Sequence, residues 1–286
     1  MDIKNILSLV MKQDASDLFL KTGCPPYFRI KGEVTNLNLP AVSREDMDLV
    51  IKSILTPVQI EAFNRDKELD FITDFSDIGR FRGNLSLDRQ NISLVFRNVK
   101  RKIQTFYELG LPVKIFEKLS MQSRGLILLT GAIGSGKSTT IASMIDYMNW
   151  HKNKHILTVE EPVEFVFENR NSIVTQREIG FDTSSYTEAL RHSVYQSPDV
   201  IFIGTIRDSL TMATAINAAE TGQLVLSTIH SINAPQAVER IINFFPEHQH
   251  TETRMQLSLL LKGIISLRPN TLKAVLFSAC RVFIRR

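Results

Sequence analysis

The chain has 286 residues, of which 43% are hydrophobic and 22% are charged, and its formal net charge is +4. This composition is that of a soluble globular protein with one large domain or two ordinary ones. The mild, scattered positive charge argues against a dedicated nucleic-acid surface, and the distant cysteines Cys24 and Cys280 argue against a disulfide framework or a cysteine metal cluster.

Neither a targeting signal nor a membrane span is visible. Residues 1–20 are interrupted by charges and carry no signal-peptide pattern. No apolar run reaches the length of about 18 residues that a membrane helix requires. We therefore expect a cytoplasmic protein without a transmembrane segment.

The first third of the chain combines short strands with a few helices. Apolar residues recur at helical spacing from Ile3 to Val10, and Ser43 with Asp46 three residues later is a helix N-cap pattern. Residues 1–98 are thus predicted to form a small α+β domain. The predicted elements are helices at 3–12 and 43–55, strands at 17–20, 27–30, 33–37, 70–74, 80–87 and 91–98, and a charged linker at 99–106.

From residue 107 the pattern changes to strands that alternate with helices, and the predicted domain extends to residue 267. This alternation is typical of a parallel sheet covered by helices, with ligands at the carboxyl ends of the strands. The predicted strands are 125–130, 155–160, 199–204 and 223–229, and the predicted helices are 137–149, 185–196, 208–221, 234–244 and 252–265.

The stretch from Gly131 to Ser138 fits the P-loop pattern of glycine, four residues and Gly-Lys-Ser. A predicted strand precedes it and a predicted helix follows, which argues against a chance glycine turn. Loop N–H groups and the helix N-terminus would hold phosphate oxygens, Lys137 would reach the β/γ-phosphates, and Ser138 would bind Mg²⁺. The predicted ATP-binding residues are Gly131, Gly134, Ser135, Gly136, Lys137, Ser138 and Thr139, with Ser138 as the metal ligand.

Three carboxylates, Glu160, Glu161 and Glu164, lie at the end of the strand predicted at 155–160. The carboxyl ends of parallel strands share one edge of the sheet, so these acids should lie near the P-loop. There they could hold Mg²⁺ through water or accept a proton from an attacking water molecule. The alternative is a solvated strand end followed by a proline turn.

The strand predicted at 199–204 lacks the acids expected after it. A P-loop enzyme places an Mg²⁺-directed Asp here, and often a Glu base, but this chain has Gly204 and Thr205. A threonine hydroxyl has no useful basicity at neutral pH. Hydrolysis is therefore predicted to be slow, unless Glu160 or Glu164 takes the proton.

Further short motifs follow one another along the chain in a fixed order. They are Asp14–Leu18, Gly23–Pro26, Arg80–Asn84, Glu160–Glu164, Gln176–Glu178, Glu188–Arg191, Pro198–Asp208, Ala218–Gly222 and Ser227–His230. Together with the P-loop, this series resembles the type II/type IV secretion ATPase superfamily, and within it the pilus-retraction (twitching motility) ATPases of the PilT type. The resemblance covers nearly all of residues 1–267.

The resemblance implies a hexameric ring in which each protomer has a PAS-like N-terminal domain and a RecA-like P-loop ATPase domain. ATP with Mg²⁺ would lie between the two domains, and domain rotation would remove pilin subunits from the pilus base. Arg82 and Arg97 would neutralise the γ-phosphate, and His230 would sense phosphate. Alternatively, Arg82 and Arg97 are arginines of surface strands that pair with acidic residues, and His230 is a hydrogen-bonded histidine at a strand end without a role at phosphate.

The same resemblance implies partners. They are identical copies in a homo-hexamer, or related ATPases in a hetero-ring, and an inner-membrane pilus platform protein at the cytoplasmic face. Nucleic acid is not an expected partner, because the N-terminal half shows no aromatic-basic stacking pattern.

The chain departs from the family pattern at several positions. Thr205 replaces the catalytic glutamate, Gln223 replaces the first histidine of the histidine box, and Tyr195 and Ser197 replace an arginine and an aspartate. Residues 268–286 are interpreted as an atypical, truncated tail. Three hypotheses therefore stay open: a retraction ATPase, a hydrolysis-poor ATP-binding partner of a competent ATPase, and a non-functional remnant.

Overall fold

The computed structural model describes residues 1–75, 77–99 and 102–267. These residues belong to two compact units, of which the first ends at Arg101 and the second begins at Lys102. The predicted tail at 268–286 lies outside the described residues, as do positions 100 and 101 of the predicted linker. Among the helices that are described, none combines the length and the apolarity needed to cross a membrane.

The first unit is built on an antiparallel sheet. Its elements are α1 (Ile3–Lys12), β1 (Asp17–Lys21), β2 (Tyr27–Ile30), β3 (Glu33–Asn36), α2 (Arg44–Ile54), α3 (Pro57–Asp66), β4 (Glu68–Phe75), β5 (Gly79–Asp88) and β6 (Asn91–Val99). The six strands have the order β3-β2-β1-β6-β5-β4, and all their pairings are antiparallel. Buried apolar side chains of the three helices pack with those of the strands in one core, which agrees with the predicted α+β class.

Two of the three helices were predicted from the sequence, and the third also begins at a recognisable capping sequence. The predicted α1 buries its apolar residues from Ile3 to Val10, and the Ser43–Asp46 capping box begins α2 as predicted. Helix α3 is absent from the predicted elements. Its signal is nevertheless present, because Thr56 and Gln59 form a second capping box.

The second unit contains the predicted parallel sheet. Its elements are α4 (Val113–Ser120), β7 (Gly125–Gly131), α5 (Lys137–His151), β8 (His155–Glu160), β9 (Ile173–Glu178), α6 (Tyr186–Ser193), β10 (Val200–Ile203), α7 (Ser209–Glu220), β11 (Leu224–Ile229), α8 (Ala234–Ile242), α9 (His250–Leu260) and β12 (Leu261–Leu267). The strand order is β12-β7-β11-β10-β8-β9, and every pairing is parallel. The α/β class expected for this part of the chain is confirmed.

Helices cover both faces of this sheet. Along β7, Leu126 and Leu128 pack with the side chains of α7, α8 and α9, whereas Ile127 and Leu129 pack with those of α4 and α5. Successive strand residues point to opposite faces, so both faces are buried and the strands are apolar throughout. The carboxyl ends of the strands then hold the polar residues.

The predicted helix at 252–265 is wrong in its second half. Helix α9 ends at Leu260, and β12 begins at the next residue and pairs with β7, with Ile265 opposite Leu129. An apolar run does not by itself distinguish a buried helix from a buried strand. This segment forms a strand because β7 offers an unpaired edge, where pairing provides hydrogen-bond partners for the backbone N–H and C=O groups of both strands. Helix α4 and the mixed-polarity edge strand β9 are also absent from the predicted elements.

Candidate functional site

The loop between β7 and α5 has the shape of an anion cradle. Gly134 and Gly136 have φ of 76° and 89°, and a Cβ atom at either position would meet nothing within 4 Å. These glycines therefore serve the left-handed backbone conformation rather than a close approach. Gly136 is also the N-cap of α5 and provides no side-chain cap, so the first N–H groups of the helix are available to an anion.

Lys137 and Ser138 already make contacts within the second unit. The Nζ of Lys137 donates to the carbonyls of Gly131 and Ala132, each at 2.8 Å. Burial lowers the pKa of Lys137, and the nearby Glu164 partly opposes this effect. The Ser138 hydroxyl donates to Oε1 of Glu164 at 2.9 Å, so the predicted metal ligand lies beside one of the three predicted acids.

The other residues of the site come from the ends of neighbouring strands. In the parallel register, Val159 pairs with Ile203, Ile203 pairs with Ser227, and Ile229 pairs with Thr130. The residues that follow these positions therefore emerge side by side at one edge. This is the edge at which α/β sheets bind ligands.

Glu160 ends β8 and is only 7% exposed. Its Oε1 accepts hydrogen bonds from Thr158 Oγ1 at 2.7 Å and from Gln176 Nε2 at 3.3 Å. Burial raises the pKa of Glu160 to about 7, although both hydrogen bonds favour the charged form. The carboxyl is therefore divided between its acid and base forms near neutral pH, as a general base should be.

Glu161 and Glu164 are both exposed. Glu161 Oε2 lies 3.4 Å from Nη1 of Arg207, with which it forms an ion pair. The predicted site residues do not include Arg207, although it follows Thr205 closely in the turn after β10. Its contact with Glu161 depends on the adjacent ends of β8 and β10, which the linear sequence does not reveal.

Thr205 lies in this turn and binds a threonine of the next strand. Its Oγ1 lies 2.9 Å from Oγ1 of Thr228, while Thr228 donates to the carbonyl of Gly204 at 2.7 Å. Each hydroxyl has one proton, so Thr205 is the donor between the two threonines. The position thus presents a hydrogen-bonded neutral hydroxyl, and no carboxylate stands there.

His230 follows β11 and is exposed. Partial burial lowers its pKa, and the positive charges of Lys137, Arg207 and Arg240 lower it further. The imidazole therefore loses its proton at a lower pH than an ordinary histidine. A neutral ring with both a donor and an acceptor stands near the P-loop lysine.

These groups line one cleft of about 490 Å³ in the second unit. The predicted residues on its wall are Gly134, Gly136, Lys137, Ser138, Thr139, Glu160, Glu161, Glu164 and His230, together with Thr205. Gly131 instead ends β7 and is buried. Ser135 Oγ is buried and has no hydrogen-bond partner among the described residues.

The predicted arginines belong to the first unit. Arg82 on β5 and Arg97 on β6 are directly opposite each other in the antiparallel register. Nε of Arg97 donates to Oδ1 of the buried Asp17 at 2.9 Å, and Nε of Arg29 lies 3.3 Å from the other carboxylate oxygen. Arg97 therefore pairs with Asp17, as expected under the alternative interpretation of a strand arginine that pairs with an acid. A role of these arginines at a phosphate stays a prediction.

The cleft suits Mg²⁺ bound together with a phosphate better than an ion held by protein alone. Among the residues that the structure describes, no group of three His, Cys, Asp or Glu side chains could hold a metal. The Ser138 hydroxyl and the Glu164 carboxylate offer hard oxygen ligands. Mg²⁺ commonly combines a few such ligands with waters and substrate phosphates.

Comparisons with known proteins agree with this architecture. A family model described as "Type II/IV secretion system protein" matches residues 1–282. The type IV pilus retraction ATPase PilT of Pseudomonas aeruginosa is 40% identical over 266 residues, which are 93% of this chain and 77% of that protein. The type IV pilus ATPase PilU of the same organism is also 40% identical over 266 residues, which are 93% of this chain and 69% of PilU.

A solved structure gives the same result. The crystal structure of the pilus retraction motor PilT with bound ADP has a TM-score of 0.87 to this chain. The two chains are 42% identical, and the match covers 94% of this chain and 78% of that one. The family model covers nearly the whole chain, and these relatives are similar over most of their own length. The chain therefore belongs to the type II/IV secretion system protein family.

Proposed function

We propose that this chain binds ATP with Mg²⁺ in the cleft of its second unit and acts in a pilus-retraction machine. The observation that carries the proposal is the convergence of Lys137, Ser138 and Glu160 with Thr205 and His230 on one cleft. The similarity to PilT, whose crystal structure holds ADP, supports the same nucleotide site here.

The chain's own groups account for the recognition of phosphate. The N–H groups of the loop and of α5 would donate to phosphate oxygens. Lys137 would exchange its two carbonyl acceptors for phosphate oxygens, and charge-assisted hydrogen bonds of this kind are stronger than neutral ones. Ser138 and Glu164 would hold Mg²⁺, which supplies positive charge to the phosphates when bound.

Two catalytic outcomes are compatible with this site. In the first, Glu160 accepts the proton of the attacking water, for which its pKa of about 7 is suitable. In the second, the neutral hydroxyl of Thr205 leaves the site without an effective base, and the chain is a hydrolysis-poor ATP-binding partner of a competent ATPase. The neutral hydroxyl at position 205, which is hydrogen-bonded to Thr228 and has no useful basicity at neutral pH, favours the second outcome.

We further propose that the chain works in a ring, as a homo-hexamer or with related ATPases, against an inner-membrane pilus platform protein. The support is membership of the family and the similarity to PilT and PilU. Arg82 and Arg97 are the candidates for neutralising the charge of the γ-phosphate.

The nucleotide site is tested by calorimetric titration with a non-hydrolysable ATP analogue and Mg²⁺. Lys137→Ala should weaken binding by roughly ten- to a hundredfold, because hydrogen bonds to charged groups contribute about 1.5–3 kcal/mol. Lys118→Ala removes an exposed lysine on α4 and serves as the matched control. Equal affinity of the wild type and Lys137→Ala would contradict the proposal.

A further inference from the structure

Gln176 connects the acidic segment of the cleft to the rest of the sheet. It lies on the edge strand β9, directly opposite Thr158 of β8 in the parallel register. Thr158 is the residue whose hydroxyl donates to Glu160. This register places the Gln176 carboxamide near the buried carboxyl group of Glu160.

This carboxamide binds the chain that follows the three glutamates. Its Oε1 accepts from the backbone N–H of Phe167 at 2.9 Å, and its Nε2 donates to the carbonyl of Phe165 at 2.8 Å. One side chain thus pairs with two backbone groups as a neighbouring strand would. Gln176 therefore ties the segment after Glu164 to β9.

The same Nε2 also donates to Oε1 of Glu160 at 3.3 Å. The buried Glu160 carboxylate therefore receives the side-chain donors Thr158 and Gln176 in addition to the backbone N–H of Glu164. A hydrogen bond to the charged form of an acid favours that form. Gln176 contacts Glu160 directly and Glu164 indirectly, because Phe165 is the next residue after Glu164.

We propose that Gln176 is a positioning residue for the nucleotide site, which orients Glu160 and holds Glu164 beside Ser138 so that both carboxylates face the cleft. The inference rests on the proposed binding of nucleotide with Mg²⁺. Gln176 does not line the cleft itself, so its effect must pass through the two glutamates. Glu164 would act on the nucleotide through the metal, and this makes the proposal testable.

The experiment measures the affinity of the full chain for a non-hydrolysable ATP analogue, once with Mg²⁺ and once with EDTA. Gln176→Met keeps the approximate size of the side chain and removes its donor and acceptor. We expect roughly fivefold or greater weakening with Mg²⁺, since two or three hydrogen bonds are lost, and no change with EDTA. A purely structural role would weaken binding in both conditions.

A second variant keeps the test decisive if Gln176→Met does not fold. Gln176→Glu retains the acceptor for Phe167 but replaces the donor with a negative charge, so it should also weaken only the Mg²⁺ condition. Protonation restores a donor, so this loss should diminish toward pH 5. Gln236→Met and Gln236→Glu, at an exposed position on α8, are the matched controls.

The same measurements separate this proposal from the proposed function. If the wild type binds nucleotide while the Gln176 variants keep its Mg²⁺-dependent affinity, this proposal fails alone. If the wild type binds no nucleotide, the proposed function fails as well.

Discussion

The two walls of the cleft are built in different ways. One wall comes from a single stretch between Ile133 and Thr139, in which Gly134 and Gly136 have positive φ. The opposite wall is assembled from the ends of three strands, with Glu160 from β8, Thr205 after β10 and Thr228 from β11. No two of these residues are close in sequence.

This contrast determines how the two walls respond to substitution. In the P-loop, backbone N–H groups would make most of the contacts in the proposed phosphate binding, so a substitution there should act through local conformation. In the assembled wall, side chains depend on partners from other strands, as Glu160 of β8 depends on Gln176 of β9. Substitutions there should change pKa values, and their effects should depend on the partner. Three predictions test this difference.

The largest effect is expected at Glu160. Its pKa of about 7 in the folded chain exceeds the ordinary value of 4.5, so the folded state binds more protons between these pH values and stability falls as pH rises through them. The difference of 2.5 units corresponds to about 3 kcal/mol at 1.36 kcal/mol per unit. Glu160→Gln should therefore raise the free energy of unfolding by up to about 3 kcal/mol at pH 8, and the gain should vanish near pH 4.

Chemical denaturation between pH 4 and pH 8 measures this effect. Glu161→Gln, at an exposed position one residue away, is the matched control for the loss of one carboxylate. A stability difference between Glu160→Gln and the wild type that stays constant from pH 4 to pH 8 would mean that burial does not perturb Glu160, and the contrast between the walls would be weaker.

The next effect concerns hydrolysis. A positioned general base contributes about 10²–10⁴-fold to a rate, so Thr205→Glu should raise steady-state phosphate release by at least about tenfold. Thr205→Val replaces the hydroxyl with a methyl group of similar size, and the rate of this variant should be as low as that of the wild type. Both are measured with saturating ATP and Mg²⁺, with Lys137→Ala as the background.

The opposite result would identify an existing base. If the wild type already hydrolyses ATP efficiently and Thr205→Glu changes little, the proton goes to an acid that is already present. Glu160→Gln and Glu164→Gln would then distinguish the two candidates, since only the variant that lacks the base should lose turnover.

The smallest effect compares a glycine from each wall. Gly134 has φ of 76° and free space around a Cβ position, so Gly134→Ala should cost about 1 kcal/mol of stability through conformation alone. Gly204 has no positive φ of this kind, but a Cβ would lie 2.8 Å from the Tyr186 hydroxyl. Gly204→Ala should therefore cost a similar amount through packing.

Tyr186→Phe separates the two causes, because it removes only the clashing hydroxyl. In double-mutant cycles followed by thermal unfolding, it should reduce the cost of Gly204→Ala and leave that of Gly134→Ala unchanged. If Gly204→Ala lowers stability by the same amount in the wild type and in Tyr186→Phe, its effect does not come from packing against the Tyr186 hydroxyl.

Features that depend on neighbouring residues could be predicted from the amino-acid sequence. The P-loop could be recognised because its glycines, lysine and serine are consecutive, and α1 and α2 could be predicted from spacing and capping within a few residues. The alternation of strands and helices likewise predicted a parallel sheet with its ligand edge at the carboxyl ends. That prediction brought Glu160, Glu161 and Glu164 to the edge of the sheet near the P-loop, where the structure places them.

Tertiary structure alone decided the rest, because those features depend on partners far apart in the chain. Leu261–Leu267 is a strand because β7 offers an open edge, although its own apolar run also suits a helix. The ion pair of Arg207 with Glu161 and the hydrogen bonds of Gln176 exist only once β8, β9 and β10 lie side by side. The raised pKa of Glu160 has the same origin, because its cause is burial, and the burial of β8 depends on the neighbouring strands β9 and β10.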